Sequence, residues 1–354
     1  MNLKQLGMHD FFKKQLKYHE DAMVGRIIFQ SKELYKVMTE NGEVLAKVSG
    51  KFRHEVTSVN DFPTVGDFVI LEQSEFEQDQ EIISHVLNRK SLISRLAAGT
   101  SNEKQLIAAN VDYIFITMAM NLDFNLRRLE RYLSMAWASG ATPVVVLTKA
   151  DLCGDLEERL AEVSSVAIDV DIVMTSSVWG MGISQIQDYL ADHQTAAFVG
   201  SSGVGKSTIV NQLKGETILE TQETRNDDKG RHTTTARYLF TLDKGGVVID
   251  TPGMRELGIE DVDLAQTFND IETLAEQCKF RDCQHQFEPG CAVRKAIECG
   301  EFSSERLKSY QKLQIESNYS GKNHKQIEEE KAERMFSEVG GMKNARKFLK
   351  QKRI

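Results

Sequence analysis

A glycine-rich run in the middle of the chain combines the residue types that hold nucleotide phosphates. It matches the pattern GxxxxGK followed by Ser or Thr, and it lies between an apolar run at 195–199 and a helical stretch at 207–213. In such a strand, loop and helix, backbone N–H groups surround the phosphates, and the start of the helix adds partial positive charge. Lys206 would bridge the outer phosphates, and Ser207 would bind Mg2+. The residues of the run are Gly200, Ser201, Ser202, Gly203, Val204, Gly205, Lys206, Ser207 and the adjoining Thr208.

A carboxylate and a glycine further along the chain could complete this phosphate site. Asp250 closes the apolar run 246–249, which is the pattern of a buried strand that ends at the carboxyl edge of a sheet. There Asp250 could hold a magnesium-bound water, and the backbone amide of Gly253 could reach the terminal phosphate. An isolated DxxG is common in turns, but the position of this DTPG tetrapeptide beyond a full phosphate loop makes it specific.

A third element has the chemistry to read a nucleotide base. Thr148, Lys149 and Asp151 belong to the sequence TKAD, which follows the apolar run 143–147. The Asp151 carboxylate can accept two hydrogen bonds from the edge of guanine, whereas adenine would match it poorly. The stem of Lys149 would cover the plane of the base. Thr148 stands where this element usually has Asn, and its hydroxyl can still donate a hydrogen bond to the phosphate loop.

A short polar run lies where a second base-contacting loop is expected, after the apolar run 170–174. It consists of Thr175, Ser176 and Ser177, and on its own it would equally fit a polar turn. Both base-reading elements precede the phosphate loop in this chain. In Ras-like GTPases the element that corresponds to Lys149-Ala150-Asp151, called KxD, instead comes after the phosphate loop. The order therefore predicts a nucleotide-binding domain whose sequence is circularly permuted.

A polar stretch at 216–237 separates the phosphate loop from the DTPG tetrapeptide and has no apolar periodicity, which indicates a functional or a disordered loop. It contains the sequence GRHTTT, in which we assign Thr234 as the residue that senses the terminal phosphate through Mg2+. His232 could order the attacking water or be an ordinary loop histidine. Met254 occupies the place of the water-orienting glutamine of Ras-type enzymes, so we expect slow intrinsic hydrolysis.

Three cysteines and a histidine form a second constellation after the nucleotide-binding motifs. Cys278, Cys283, His285 and Cys291 have the spacing C-x4-C-x-H-x5-C. Three thiolates and one imidazole fit a closed, tetrahedral structural zinc site, whereas a catalytic zinc keeps a position open for water. The other two of the five cysteines fit ordinary thiols, and disulfides are not expected.

Residues 1–98 are predicted to form an N-terminal extension and a small all-β domain. Short alternating runs at 25–29, 34–38, 44–48 and 67–72 are separated by turn signals such as Asn41-Gly42. A five-stranded OB barrel fits their number and length. Basic residues cluster near one predicted loop. That cluster fits RNA binding, but many β-rich domains with solvated loops look the same.

The rest of the chain changes character twice. Residues 99–265 alternate between strand and helix patterns, which predicts a parallel sheet with helices on both faces, and we assign them to the permuted nucleotide-binding domain. Residues 266–354 are helical and charge-rich and contain the cysteine cluster, so we assign them to a zinc-binding domain. The last fourteen residues hold six lysines and arginines without an acidic residue; they could dock phosphates or form a solvated tail.

Composition places limits on the class of protein. A chain of 354 residues is too long for one typical core, and 41% apolar with 27% charged residues is typical of a soluble globular protein. No apolar run approaches the ~18 residues of a membrane span. The N-terminus lacks the apolar core of a signal peptide, so we expect a cytoplasmic location. The net charge of −8 argues against indiscriminate polyanion binding.

The succession TKAD, TSS, GSSGVGKST, GRHTTT, DTPG and CKFRDCQHQFEPGC resembles the ribosome small subunit-dependent GTPase A family over nearly the whole chain. The resemblance implies an N-terminal OB domain, a permuted GTPase domain that binds GTP with Mg2+, and a C-terminal zinc domain. It also implies action in late maturation of the bacterial small ribosomal subunit, with contacts to its rRNA. Hydrolysis of GTP to GDP and phosphate would then be stimulated by that particle. Thr148 in place of Asn is the departure from the pattern, and it bears on the strength of guanine binding.

Two other classes of protein serve as alternatives. In a non-enzymatic RNA-binding regulator the nucleotide would be only a structural ligand, and multiple-turnover phosphate release separates this case from an enzyme. A P-loop ATPase or kinase is disfavoured by the KxD element and by the lack of an acceptor-substrate domain, and competition between GTP and ATP decides it. We expect a monomeric multidomain α/β protein that binds GTP or GDP and the small ribosomal subunit, without a membrane partner.

Overall fold

The computed structural model describes residues 2–19, 22–73, 80–96, 104–121, 123–217, 219, 237–250, 262–319, 326 and 328–330. The strands are β1 (Met23–Ser31), β2 (Leu34–Thr39), β3 (Gly42–Val48), β4 (Phe68–Gln73), β5 (Glu81–Val86), β6 (Leu92–Leu96), β7 (Lys104–Ala109), β8 (Tyr113–Ala119), β9 (Thr142–Thr148), β10 (Asp171–Met174), β11 (Thr195–Val199), β12 (Arg237–Thr241) and β13 (Val247–Asp250). The α-helices are α1 (Asp10–Lys13), α2 (Gly50–Glu55), α3 (Leu126–Ser139), α4 (Leu156–Ser164), α5 (Ile183–Tyr189), α6 (Lys206–Lys214), α7 (Leu264–Thr267), α8 (Asn269–Ala275), α9 (Ala292–Glu298) and α10 (Ser304–Ser317).

Strands β1 to β5 close into a barrel. β1 pairs antiparallel with β2 and β4, and the circle closes through the pairs β2–β3, β4–β5 and the parallel pair β3–β5. Ile27, Val37, Ala46 and Ile83 lie in its core and are fully buried. Register shifts leave one extra residue in β1 and one in β5, and such bulges let strands bend. The five-stranded barrel predicted from the alternating runs is confirmed.

Strands β8 to β13 form the sheet of the nucleotide-binding domain, in the order β10-β9-β8-β11-β13-β12. Five of these strands run parallel, and β12 runs antiparallel to β13. Leu129 of α3 clusters with Ile116 on one face, while Ile209 of α6 clusters with Phe115 on the other. Because helices cover both faces, consecutive strand residues are apolar. The predicted parallel sheet with helices on both faces is confirmed.

The barrel and the nucleotide-binding sheet are hydrogen-bonded to each other. β12 pairs antiparallel with β1, with Phe29 opposite Tyr238 and Gln30 opposite Arg237. The rings of Phe29 and Tyr238 stack with centroids 4.5 Å apart. Within the described ranges, eleven strands thereby form one continuous sheet. The sequence predicted a polar loop through residue 237; its last residue, Arg237, instead begins β12.

A buried arginine fastens the same junction. Arg26 is 0% exposed, and its guanidinium donates to the carbonyl of Gly66 at 3.0 Å, the carbonyl of Asn110 at 3.0 Å and the hydroxyl of Thr195 at 2.8 Å. It also donates to the carbonyl of Leu6. Burial lowers the pKa of Arg26 to about 10, so the group stays protonated at neutral pH. One side chain therefore joins the N-terminal segment, the loops before β4 and β8, and strand β11 of the nucleotide-binding sheet.

The C-terminal part of the described chain is helical, as predicted. Phe268, Ile271, Val293 and Leu307 form a small separate core among α7 to α10. The hairpin β6–β7 crosses the predicted domain boundary between residues 98 and 99, so that boundary stays a prediction, as does the one between 265 and 266. Among the described residues no helix has the length and apolar character needed to cross a membrane.

Candidate functional site

The phosphate loop connects β11 to α6, as its sequence predicts. Its glycines at 200, 203 and 205 all have positive φ angles, of 143°, 76° and 105°. A Cβ atom on Gly200 would lie 2.2 Å from the carbonyl oxygen of Thr117. Only glycine fits such a turn without strain, and the turn leads directly into the first residue of α6, Lys206. The loop therefore presents its backbone to a ligand at the start of a helix.

The side chain of Lys206 lies over this loop. Its Nζ donates to the carbonyl oxygens of Gly200 at 2.6 Å and Ser201 at 2.5 Å. Ser207 and Thr208 follow in the first turn of α6, and both are partly exposed. The ammonium of Lys206 can bind a phosphate here, and the hydroxyl of Ser207 beside it can bind the magnesium ion that accompanies the phosphate.

The base-reading element contacts the phosphate loop directly. Thr148 is 4% exposed, and its hydroxyl donates to the carbonyl of Val204 at 2.5 Å. This is the contact that the sequence predicts for a threonine in place of asparagine. Lys149 follows with a left-handed φ of 57°, which turns the chain from β9 towards Asp151. The loop after β9 and the phosphate loop are therefore joined along one edge of the sheet.

The second predicted base loop lies against the first. The hydroxyl of Ser176 donates to Oδ1 of Asp151 at 2.6 Å, and the N–H of Ala150 donates to the carbonyl of Thr175 at 3.2 Å. Thr175 and Ser176 are buried, whereas Ser177 is exposed. Ser176 thus fixes one oxygen of the carboxylate and leaves the other oxygen for a ligand.

Asp250 ends β13 beside the phosphate loop. The parallel register pairs Ala197 of β11 with Ile249, so Asp250 lies at the edge where β11 runs into Gly200. Its side chain is partly exposed. Three predicted site residues, His232, Thr234 and Gly253, lie outside the described residues.

Sequence reasoning missed one contact to the phosphate loop. Arg128 of α3 donates from Nη1 to both carboxylate oxygens of Asp123, at 2.9 Å each, and to the hydroxyl of Ser201. Arg128 belongs to no motif, and it precedes the phosphate loop by 73 residues, so the sequence does not indicate that the two are in contact. The basic first turn of α3, with Arg127 beside Arg128, was the one available signal.

The predicted metal ligands come together in the C-terminal part. Ligand atoms of Cys278, Cys283, His285 and Cys291 all lie within 4.8 Å of one another. Nδ1 of His285 is 3.4 Å from the sulfur of Cys291 and 3.7 Å from that of Cys278, and these two sulfurs are 3.9 Å apart. Tetrahedral zinc with ordinary bond lengths separates its ligand atoms by about 3.6 Å. The donor set and the spacing therefore fit zinc.

Local backbone structure shapes this cluster. Cys291 is the N-cap residue of α9, and its sulfur accepts the N–H of Arg294 at 3.4 Å. His285 has a left-handed φ of 59°. Burial lowers the pKa of its imidazole, which favours the neutral form that metals bind. The carboxylate of Glu288 accepts the N–H groups of Gln284, Gln286 and Phe287, which lowers its pKa to about 2 and ties the ligand loop together.

Comparison with known proteins agrees with this geometry. The family model described as RsgA GTPase matches residues 86–260. The chain is 50% identical to the small ribosomal subunit biogenesis GTPase RsgA 2 of Lactiplantibacillus plantarum, over 99% of this chain and 98% of that protein. The chain belongs to the RsgA GTPase family. A second RsgA protein, from Oceanobacillus iheyensis, is 42% identical over 90% of this chain and 92% of its own length.

Two solved structures of similar fold support the RsgA assignment. YjeQ from Thermotoga maritima is 29% identical and superposes with a TM-score of 0.62, over 84% of this chain and 98% of its own. YloQ, described as a circularly permuted GTPase, is 25% identical with a TM-score of 0.58, over 85% of this chain and 97% of its own. The circular permutation predicted from the order of the motifs is therefore confirmed.

Proposed function

We propose that this chain is a cytoplasmic GTPase that binds the small ribosomal subunit and assists its late maturation. It hydrolyses GTP to GDP and phosphate, and the particle stimulates that hydrolysis. The observation that carries the proposal is the hydrogen bond from Thr148 to Val204, because it joins a base-reading loop to a phosphate cradle. One guanine nucleotide can occupy both, since the loops after β9, β10, β11 and β13 share one edge of the sheet.

Guanine is the base that suits this pocket. Asp151 accepts hydrogen bonds from the guanine edge, with its free oxygen aimed by the bond from Ser176. The stem of Lys149 covers the plane of the base. Thr175 and Ser177 belong to the second loop that contacts the base. Adenine offers an amino group and acceptors in a different pattern and leaves the carboxylate poorly matched.

Phosphate chemistry falls to the loop and the segments after it. Lys206 leaves the loop carbonyls and bridges the outer phosphates, while backbone N–H groups of residues 200–208 surround them. Ser207 and Thr234 would hold Mg2+, which would neutralise charge on the phosphates. Asp250 would hold a water on the ion, and the amide of Gly253 would reach the terminal phosphate. His232 positions the attacking water.

Nucleotide state and particle binding are coupled through the loop that contains Thr234. GTP orders this loop because only the terminal phosphate and its magnesium engage the threonine, and hydrolysis releases it. The loop leads straight into β12, which pairs with the barrel strand β1. A change in the conformation of the loop can therefore be passed through β12 to the barrel.

The barrel and the C-terminal helices provide the contacts with the particle and its rRNA. The curated relatives carry the name small ribosomal subunit biogenesis GTPase, which supports this partner. Zinc held by Cys278, Cys283, His285 and Cys291 stabilises the C-terminal domain at 266–354, next to the GTPase domain at 99–265 and the OB domain at 1–98. The protein acts as a monomer.

A nucleotide competition experiment tests the proposed class. GTP and GDP should displace a fluorescent guanine nucleotide from the purified protein, whereas ATP at the same concentration should not. Unlabelled GTP should then give several molecules of phosphate per protein molecule. Equal displacement by ATP contradicts the guanine site, and a single turnover at most assigns the nucleotide a structural role in a non-enzymatic regulator.

A further inference from the structure

A strongly basic cleft lies between α3 and α10, outside the nucleotide pocket. Its volume is about 370 Å3. Five of its lining residues are cationic and one is acidic, in a chain whose net charge is −8. The charged residues are Arg127, Arg128 and Arg131 of α3 and Lys308, Lys312 and Glu305 of α10.

Buried ion pairs fix the two walls of this cleft. Arg306 of α10 is 2% exposed and donates to Asp270 at 2.8 Å and to Glu130 of α3 at 3.0 Å. Glu130 is itself fully buried, and Arg131 of α3 is paired with Glu316 of α10. Breaking a buried pair is costly, so α3 and α10 hold a fixed separation. The cleft is therefore a preformed feature.

The two lysines are the cations with the most freedom to bind an anion. Lys308 and Lys312 are exposed and lie one helical turn apart on α10. Within the described part of the chain neither has a carboxylate at ion-pair distance, whereas Arg127 has Glu130 at 3.3 Å. Guanidinium forks and ammonium groups in one cleft suit phosphate oxygens.

One wall residue connects the cleft to the nucleotide site. Arg128 lines the cleft and donates to Asp123 and to the hydroxyl of Ser201 in the phosphate loop. The carbonyl of the same Ser201 accepts from Lys206 at 2.5 Å. A phosphate in the cleft would compete with Asp123 and Ser201 for the guanidinium of Arg128. Occupancy of the cleft therefore reaches the loop that holds the nucleotide phosphates.

We propose that this cleft binds the sugar-phosphate backbone of RNA and that Arg128 transmits its occupancy to the phosphate loop. The proposal rests on the proposed function in taking an RNA-containing particle as the partner. RNA fits better than an apolar protein segment because the lining is basic and polar, with Leu313 as its one large apolar residue in the described chain. Arg128 acts as a positioning residue, since it touches the loop and not the reacting atoms.

The test compares three double variants in binding to purified small ribosomal subunits over a range of salt concentrations. Lys308→Ala/Lys312→Ala should weaken binding roughly tenfold and lower the slope of log affinity against log salt by about 1.5, because two phosphate contacts are lost. Lys308→Arg/Lys312→Arg should bind like the parent. The control Lys4→Ala/Lys244→Ala removes two exposed lysines that do not line the cleft and should also bind like the parent. GTP hydrolysis without subunits should be equal in all four proteins.

A second variant tests the role of Arg128. Arg128→Lys keeps the charge, but its side chain is one bond shorter and should end short of the position of Nη1, the atom that donates to both Asp123 and Ser201. It should bind subunits within about twofold of the parent and lose most of the stimulation of turnover. Stimulation equal to that of the parent contradicts the link to the phosphate loop.

The outcomes separate this proposal from the proposed function. If the parent is stimulated and the Lys308→Ala/Lys312→Ala variant binds with the parent's affinity and salt slope, the cleft is not an RNA site, while the GTPase assignment stands. Weaker binding with an unchanged slope overturns RNA in favour of a protein contact. A parent that neither binds nor responds to small subunits contradicts the proposed function itself.

Discussion

The hydroxyl of Ser176 donates a 2.6 Å hydrogen bond to Oδ1 of Asp151 and thereby joins the loops after β10 and β9. The N–H of Ala150 adds a 3.2 Å bond to the carbonyl of Thr175 across the same gap. These contacts orient the carboxylate before any ligand arrives. The choice of base should therefore depend on the hydrogen bonds that the Asp151 carboxylate accepts, while Ser176 holds that carboxylate in position.

Replacing the carboxylate should change the preferred base. Asp151→Asn should weaken GTP binding and raise tolerance for xanthosine triphosphate, because an amide complements the base carbonyl that replaces the guanine amino group. Ser176→Ala should weaken GTP binding roughly tenfold without the change of base, since only the aim is lost. Competition binding with the two triphosphates measures both effects. Unchanged guanine preference in Asp151→Asn contradicts the base-reading assignment.

The phosphate loop should lose different functions at two neighbouring residues. Lys206→Ala removes the charge over the outer phosphates and should lower both affinity and turnover, whereas Ser207→Ala should mainly weaken magnesium-dependent binding and turnover. Lys214→Ala, at the far end of α6, removes a surface pair with Asp243 and should behave like the parent. Phosphate release at several magnesium concentrations distinguishes them. Parental rates in both loop variants rule this loop out as the active site.

Zinc should stabilise the C-terminal part of the chain. Protein purified without chelator should contain one tightly held zinc, as measured by elemental analysis. Cys283→Ser and His285→Ala should lose zinc and lower the melting temperature of the C-terminal helices, because metal binding contributes folding free energy. Cys299→Ser, at an exposed thiol outside the cluster, should keep both zinc and stability. Protein without metal before any chelator treatment contradicts the site.

Removing Arg26 should weaken the junction between the barrel and the nucleotide-binding sheet. Arg26→Ala leaves the carbonyls of Leu6 and Asn110 and the hydroxyl of Thr195 without this donor, and leaves the carbonyl of Gly66 with only the amide of Asn110. We therefore expect a loss of more than about 3 kcal/mol in the free energy of unfolding. Arg53→Ala breaks an exposed pair with Glu33 and should cost under about 1 kcal/mol. Urea unfolding followed by circular dichroism measures both. Equal midpoints for the two variants would show that the buried network contributes little.

Local sequence was sufficient for those parts of the fold and site that local chemistry determines. Alternating runs predicted the barrel strands, and the spacing of Cys278, Cys283, His285 and Cys291 predicted their approach. The pairing of β12 with β1 was not predictable, because it joins segments some two hundred residues apart through backbone groups that every residue has. The contact between Arg128 and Ser201 escaped for the same reason: neither residue type nor spacing indicates a partner in a distant loop.

The predicted switch residues separate binding from turnover. Thr234→Ala should keep much of the affinity for GDP and lose the GTP-dependent preference for the small subunit, because only the terminal phosphate requires that hydroxyl. His232→Ala should bind GTP and the particle nearly normally and lose stimulated turnover, because it no longer places the water. Co-sedimentation with small subunits in GDP and in a non-hydrolysable GTP analogue measures the first effect. If His232→Ala has the same stimulated rate of GTP hydrolysis as the parent, His232 is an ordinary loop residue.

The most direct test of the whole account is the rate of GTP hydrolysis as small ribosomal subunits are titrated into the parent protein. Met254 in place of glutamine predicts slow turnover for the isolated chain. We expect this rate to rise with added small subunits to a plateau, and large subunits at the same concentration to leave it unchanged. A rate that stays at the level of the isolated protein throughout the titration contradicts hydrolysis coupled to the particle.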